Sequence, residues 1–173
     1  MTYNNRMDLS YAVSEHRESA VSTPAIHWED IIEGDLREGG AYPFETGTIK
    51  RFAREFVPRP THLDEAAAEA SFFKGLAASG AHTFAVWARL YWELTPGWAT
   101  QAGTHMRDMR LYRPVRPGDV LTLRLTILGK RPHPLRNEFG FVDSRHELFN
   151  QAGQPVFHVE CTMMIERRPV APT

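Results

Sequence analysis

The chain has 173 residues, of which 42% are hydrophobic and 24% charged, as is ordinary for one globular domain. A formal net charge of −1 argues against a protein that binds nucleic acid through bulk positive charge. No apolar run approaches the roughly 18 residues of a membrane span, and the single cysteine, Cys161, excludes an internal disulfide and favours a cytoplasmic location.

The two ends of the chain differ in composition from its middle. Residues 1–25 are mostly polar, carry both signs of charge and lack the apolar stretch of a secretion signal, so they predict a flexible arm. Residues 169–173 include two prolines and predict a frayed tail. Residues 26–168 contain no composition break that would mark a linker, and we therefore expect one domain there.

Short helices are predicted in the first half. Residues 27–40 form a lead-in segment that Trp28, Ile31 and Ile32 are expected to anchor to the core. Residues 48–56 place apolar side chains at helical spacing, and prolines follow them. Residues 63–70 are rich in alanine and glutamate and predict a second short helix.

A longer helix is predicted over residues 79–94. Apolar side chains cover nearly every side of it, which indicates a helix buried on most sides. A threonine, a proline and a glycine end it.

Strands are predicted in the second half. Residues 119–129 and 155–166 alternate apolar and polar side chains, the pattern of a sheet with one buried face. Residues 139–149 precede a turn into the last strand, and residues 105–113 predict one more. One apolar helix followed by antiparallel strands predicts an α+β hot-dog fold, with a curved sheet around a central helix.

Three segments carry a family resemblance. Residues 52–68 (FAREFVPRPTHLDEAAA), 71–83 (SFFKGLAASGAHT) and 111–125 (LYRPVRPGDVLTLRL) resemble, in the same order, motifs of the MaoC-like acyl dehydratases and (R)-specific enoyl-CoA hydratases. The resemblance spans about residues 27–168.

The resemblance implies a function and an assembly. Members hydrate trans-2-enoyl thioesters of coenzyme A or an acyl carrier reversibly to (R)-3-hydroxyacyl thioesters. It implies a homodimer or a dimer of dimers with sites at the subunit interface. We expect no cofactor beyond the thioester substrate, no metal, and neither nucleic acid nor a membrane as partner.

The same motif assigns the catalytic positions. His62 matches the histidine of the family, and an imidazole exchanges protons near neutral pH. The aspartate position of the family is occupied by Val57, which can neither accept a proton nor orient a water. Arg59 departs from the family loop and is a candidate for binding a substrate phosphate or carboxylate. Asp64 matches a second aspartate with a supporting role.

Other carboxylates could replace the missing one. Asp64, Glu55 and Glu69 are candidates by position, although carboxylates on short helices are mostly solvated. A single His62 working with an ordered water is the remaining alternative.

The start of the buried helix is the expected oxyanion site. Free backbone N–H groups at the positive end of the helix dipole suit a thioester oxygen, and Gly80 matches the oxyanion donor of the family. Ser79 either caps the helix or contacts the substrate. His82 is a further substrate-binding candidate, or a buried helix residue.

Three hypotheses follow. The first is a hydro-lyase with His62 as acid and base and Gly80 as oxyanion donor. The second is a catalytically silent thioester-binding or partner subunit, and the third is a hot-dog thioesterase.

Five basic residues either bind coenzyme A phosphates or form a solvated face: Arg113, Arg116, Lys130, Arg131 and Arg136.

Overall fold

The computed structural model describes residues 25–169. The predicted arm and tail therefore lie outside the described residues, apart from Ala25 and Pro169. Within them, two single turns of 3₁₀ helix cover Trp28–Asp30 and Pro60–His62, and the helices and strands follow in this order: β1 (Leu36–Pro43), α1 (Thr46–Phe56), α2 (Glu65–Ala70), α3 (Gly80–Leu94), β2 (Thr100–Leu111), β3 (Val120–Pro132), β4 (Phe139–Phe149) and β5 (Pro155–Glu166).

The strands form one antiparallel sheet in the order β1-β3-β4-β5-β2. Side chains of β3 and β4 alternate between buried and partly exposed, and the buried set packs against one face of α3. The predicted hot-dog fold, with a central helix against a curved sheet, is confirmed.

Helix α3 is less enclosed than its composition predicts. Val86, Trp87 and Leu90 are buried against the sheet, but Trp92 is 68% exposed. The prediction of burial on most sides is wrong because the sheet of this one chain covers a single face of the helix.

Two further expectations fail at the start of the domain. Residues 36–43 form a strand instead of an irregular lead-in, because they pair with β3 along the sheet edge. Ile31 is buried, as expected, whereas Ile32 is 69% exposed and anchors nothing.

A polar network lies inside the core. The Trp87 indole N–H donates to Nδ1 of His146 at 3.0 Å, so the neutral ring carries its hydrogen on Nε2. That nitrogen lies 2.7 Å from Oγ of Ser144 and donates to it. Burial, and secondly the positive charge that His158 can carry, lowers the pKa of His146 to about 3, so this ring is neutral at physiological pH.

Candidate functional site

His62 and Gly80 line the same cleft, of about 310 Å³, beside the first turn of α3. Phe73 and Thr83 also line it, and residues after the end of β2 close the other side. Most of the surface of the cleft is apolar, and its polar lining includes His62, Arg59 and Arg113. A cleft of this kind is typical of a small-molecule site.

The backbone around His62 sets the direction of its imidazole. His62 ends the turn Pro60–His62, is buried, and donates its main-chain N–H to the carbonyl oxygen of Arg59 at 3.0 Å. Its Nδ1 lies 2.8 Å from the carbonyl oxygen of Ala77. Because a carbonyl only accepts, Nδ1 carries the hydrogen and the lone pair of the neutral ring is on Nε2. Nε2 is therefore able to act as a base.

Gly80 is the first residue of α3. Ser79 caps the helix, since its Oγ accepts the His82 N–H at 3.2 Å and its carbonyl accepts the Thr83 N–H at 3.1 Å. The Gly80 N–H makes no hydrogen bond to any group among residues 25–169. It is thus a free donor at the positive end of the helix dipole.

A side chain at position 80 would displace the end of the Leu111 side chain. A Cβ added to Gly80 would lie 2.7 Å from Cδ1 of Leu111. Glycine at this position therefore leaves room for the end of the Leu111 side chain beside the start of α3.

Arg116 holds the loop between α2 and α3. Its guanidinium donates to the carbonyl oxygens of Phe73, Gly75 and Leu76, the last two at 2.7 and 3.3 Å. The next carbonyl along the chain, that of Ala77, orients His62. Arg116 therefore holds this stretch of backbone, and it does not line the cleft. The sequence signalled a basic residue here but not this role.

Two other candidates for phosphate binding also have partners within the protein. Lys130 donates to the carbonyl oxygen of Trp28 at 2.8 Å, and its ammonium lies 4.6 Å from the centroid of the Trp28 indole ring. Arg131 forms an ion pair with Asp143. Of the five basic residues, only Arg113 lines the cleft.

The Val57 side chain is not part of this cleft. Val57 follows the last residue of α1, is half-buried, and donates its N–H to the carbonyl oxygen of Ala53 at 3.0 Å. It does not line the cleft that contains His62.

None of the substitute carboxylates reaches the cleft. Asp64 caps α2, where its carboxylate accepts the Ala67 N–H at 2.7 Å. Glu55 lines a different cleft, and Glu69 is exposed. Among residues 25–169, no Asp or Glu lines the cleft with His62.

His82 lies in a second cleft, on another side of the first turn of α3. Its ring stacks on Phe52 with centroids 4.4 Å apart, and Tyr42 and Arg51 line the same cleft. Burial, and then the charge of Arg51, lowers the pKa of His82 to about 4. His82 is therefore a neutral, buried residue that the structure does not bring together with His62.

Neither a metal site nor a spanning helix is found in the described part of the chain. No group of three or more His, Cys, Asp or Glu side chains between residues 25 and 169 is placed to hold a metal ion. None of the helices in that range is long and apolar enough to cross a membrane.

Comparison with known proteins agrees with the geometry. The family model of the MaoC-like domain matches residues 29–144. The uncharacterized protein YdeM of Bacillus subtilis (strain 168) is 38% identical over 120 residues, 69% of this chain and 84% of that protein.

Two solved structures are also similar. The MaoC-like dehydratase of Rhodospirillum rubrum is 35% identical, with a TM-score of 0.79, over 84% of this chain and all of its own. The (R)-hydratase PhaJ1 of Pseudomonas aeruginosa is 25% identical, with a TM-score of 0.66, over 86% of this chain and 94% of its own.

Proposed function

The chain belongs to the MaoC-like domain family, and on that premise we propose that it hydrates trans-2-enoyl thioesters reversibly to (R)-3-hydroxyacyl thioesters. The acyl group is carried by coenzyme A or an acyl carrier. One observation carries the proposal: the free Nε2 of His62 and the free N–H of Gly80 belong to one apolar cleft.

In the proposed reaction the enoyl carbon chain lies between these two groups. Nε2 of His62 takes a proton from water while the water oxygen bonds to the β-carbon. The electrons of the double bond move to the thioester oxygen, which accepts a hydrogen bond from the Gly80 N–H. The imidazolium then returns a proton to the α-carbon, and the reverse sequence is dehydration.

A second function is favoured by the missing carboxylate. The cleft holds one imidazole and no Asp or Glu from the described residues, and loss of a positioned acid or base typically costs about 10²- to 10⁴-fold in rate. A thioester-binding or partner subunit without turnover is therefore the alternative.

A thioesterase is the third candidate. A cysteine-dependent thioesterase is disfavoured, because Cys161 is buried and burial raises the pKa of its thiol to about 12. Release of free coenzyme A would be its signature.

The proposed assembly is a homodimer or a dimer of dimers. Strand β2 is an edge strand of twelve residues, nearly all exposed, and Met106 and Met109 are among them. A long exposed edge is a template for pairing with another strand. Because Leu111 lies at the end of β2 and lines the cleft, a second copy paired along β2 would border the site. Sedimentation of the purified chain tests this; a monomer at all concentrations would reject it.

Crotonyl-CoA separates the three functions. Loss of the enoyl absorbance reports hydration, and a thiol reagent reports released coenzyme A. We expect wild type to hydrate, His62→Gln to lose about 10²-fold or more, and Arg136→Gln, in the exposed turn between β3 and β4 and outside the cleft, to match wild type. Equal rates for wild type and His62→Gln would reject the proposed mechanism. Binding of crotonyl-CoA without turnover would identify the silent subunit.

A further inference from the structure

The mostly apolar cleft around His62 also carries two positive charges. Arg59 and Arg113 line it, and no described Asp or Glu does. Most arginines between residues 25 and 169 form an ion pair with a carboxylate. Within that range Arg59 forms none, and Arg113 donates only to the carbonyl oxygen of Pro155, at 3.0 Å. Both guanidinium groups are thus able to bind an anion that a ligand brings.

Arg59 lines the same cleft as His62. It precedes the turn that contains His62, and its carbonyl oxygen accepts the His62 N–H at 3.0 Å. In a coenzyme A thioester the whole pantetheine arm separates the phosphates from the thioester carbon. A carboxylate at the end of a short acyl chain lies only a few bonds from that carbon. An anion that reaches Arg59 while the enoyl group is at His62 therefore belongs to the acyl chain.

Resting on the proposed function, we propose that the substrate is the enoyl thioester of a short dicarboxylic acid, and that Arg59 binds its free carboxylate. Guanidinium and carboxylate form paired, charge-assisted hydrogen bonds. No described Asp or Glu lines the cleft to repel this group. Arg113, on the other wall of the cleft, adds a second favourable charge.

Two pairs of thioesters, each matched in the number of acyl carbons, test the proposal. Crotonyl-CoA and fumaryl-CoA share a four-carbon enoyl chain that ends in a methyl or a carboxylate. Butyryl-CoA and succinyl-CoA are their saturated analogues. Neither can be hydrated, so calorimetry measures their binding without turnover. We expect the carboxylate-bearing member of each pair to be favoured about tenfold or more, the range of a charge-assisted hydrogen bond. Arg59→Gln is expected to abolish that preference, and Arg113→Gln to reduce it.

Arg136→Gln is the matched control, because Arg136 is an exposed arginine in the turn between β3 and β4 and does not line the cleft. It should keep the full preference. Arg59→Lys, which retains the charge without the paired donors, should keep part of it, and circular dichroism checks that each variant is folded.

Thioesters of pantetheine, which lack the phosphates, separate the two sources of negative charge. A preference for the succinyl over the butyryl group that persists on pantetheine supports the acyl carboxylate. If Arg59→Gln instead weakens butyryl-CoA and succinyl-CoA equally, and leaves the pantetheine thioesters unchanged, Arg59 binds a phosphate and the proposal is overturned.

Failure of this proposal is distinguishable from failure of the proposed function. Hydration of both enoyl thioesters at equal efficiency, with equal binding of the saturated pair, would overturn the carboxylate assignment alone. Preferential binding of succinyl-CoA without turnover of either enoyl thioester would support that assignment and reject the hydratase.

Discussion

His146 connects the buried core of the protein to its stability in acid. The ring is fully buried, accepts the Trp87 indole N–H and donates to Ser144. Burial, with a smaller contribution from His158, lowers the pKa of the folded-state ring from 6.5 to about 3. We expect replacement of His146 by a residue that cannot titrate to make stability less dependent on pH.

The magnitude follows from the two pKa values. Between pH 6.5 and pH 3 the unfolded chain binds a proton on His146 that the folded chain does not bind, so falling pH favours unfolding. The contribution of the neutral ring to stability is complete above pH 6.5 and is lost as pH decreases towards 3. At pH 5, about 1.5 units below the unfolded value, the loss for this residue is about 2 kcal/mol.

His146→Gln is the suitable variant, because a glutamine side-chain oxygen can still accept the Trp87 N–H. Urea unfolding of wild type and variant, at pH 8 and pH 5 and at one protein concentration, gives the decrease in the free energy of unfolding between the two pH values for each protein. The variant should lose about 2 kcal/mol less than wild type between the two pH values. Equal losses in wild type and His146→Gln would refute the reasoning.

Three further outcomes are expected. Gly140→Ala should lower the free energy of unfolding, measured in urea, by about 1 to 3 kcal/mol. The reason is that the new Cβ would lie 2.4 Å from Nε1 of Trp28. Gly129→Ala is the control, because a Cβ there meets open space, and it should change the free energy of unfolding little. Arg116→Met should speed amide hydrogen exchange in the loop after α2, because it removes three hydrogen bonds to carbonyls there. Unchanged exchange rates would contradict the role of Arg116 in holding this loop. Gly80→Ala should leave thermal unfolding nearly unchanged, since its Cβ meets only a movable leucine end, while crotonyl-CoA hydration slows.

Elements with a strong internal pattern could be predicted from the sequence. Strands β4 and β5 have the predicted bounds, and α3 begins one residue after the predicted start. The alternation of apolar and polar side chains predicts strand β5, and the apolar composition with a serine N-cap predicts helix α3. Burial on one side only of α3 was not predictable, because it depends on what lies beside the helix and not on the helix itself.

Strand β1 has no such pattern. Its sequence, LREGGAYP, contains two glycines and a proline, and its pairing with β3 creates the strand. Gly40 has φ +76°, and a Cβ there would lie 2.6 Å from Cδ2 of Leu90, so β1 passes close to α3 only because this residue is glycine. Neither requirement is visible in a window of neighbouring residues.

The sequence by itself determined the central helix, the strands that alternate, and the identity of His62 and Gly80 as candidates. Only the tertiary structure decided that these two line one cleft, that His82 lies in another, and that Arg116 holds the backbone while Arg59 and Arg113 line the cleft. The physical reason is the separation along the sequence of the residues that interact. Helix and strand preferences arise between residues a few positions apart. The partner of a charged side chain is set by which distant segments the packed sheet brings together.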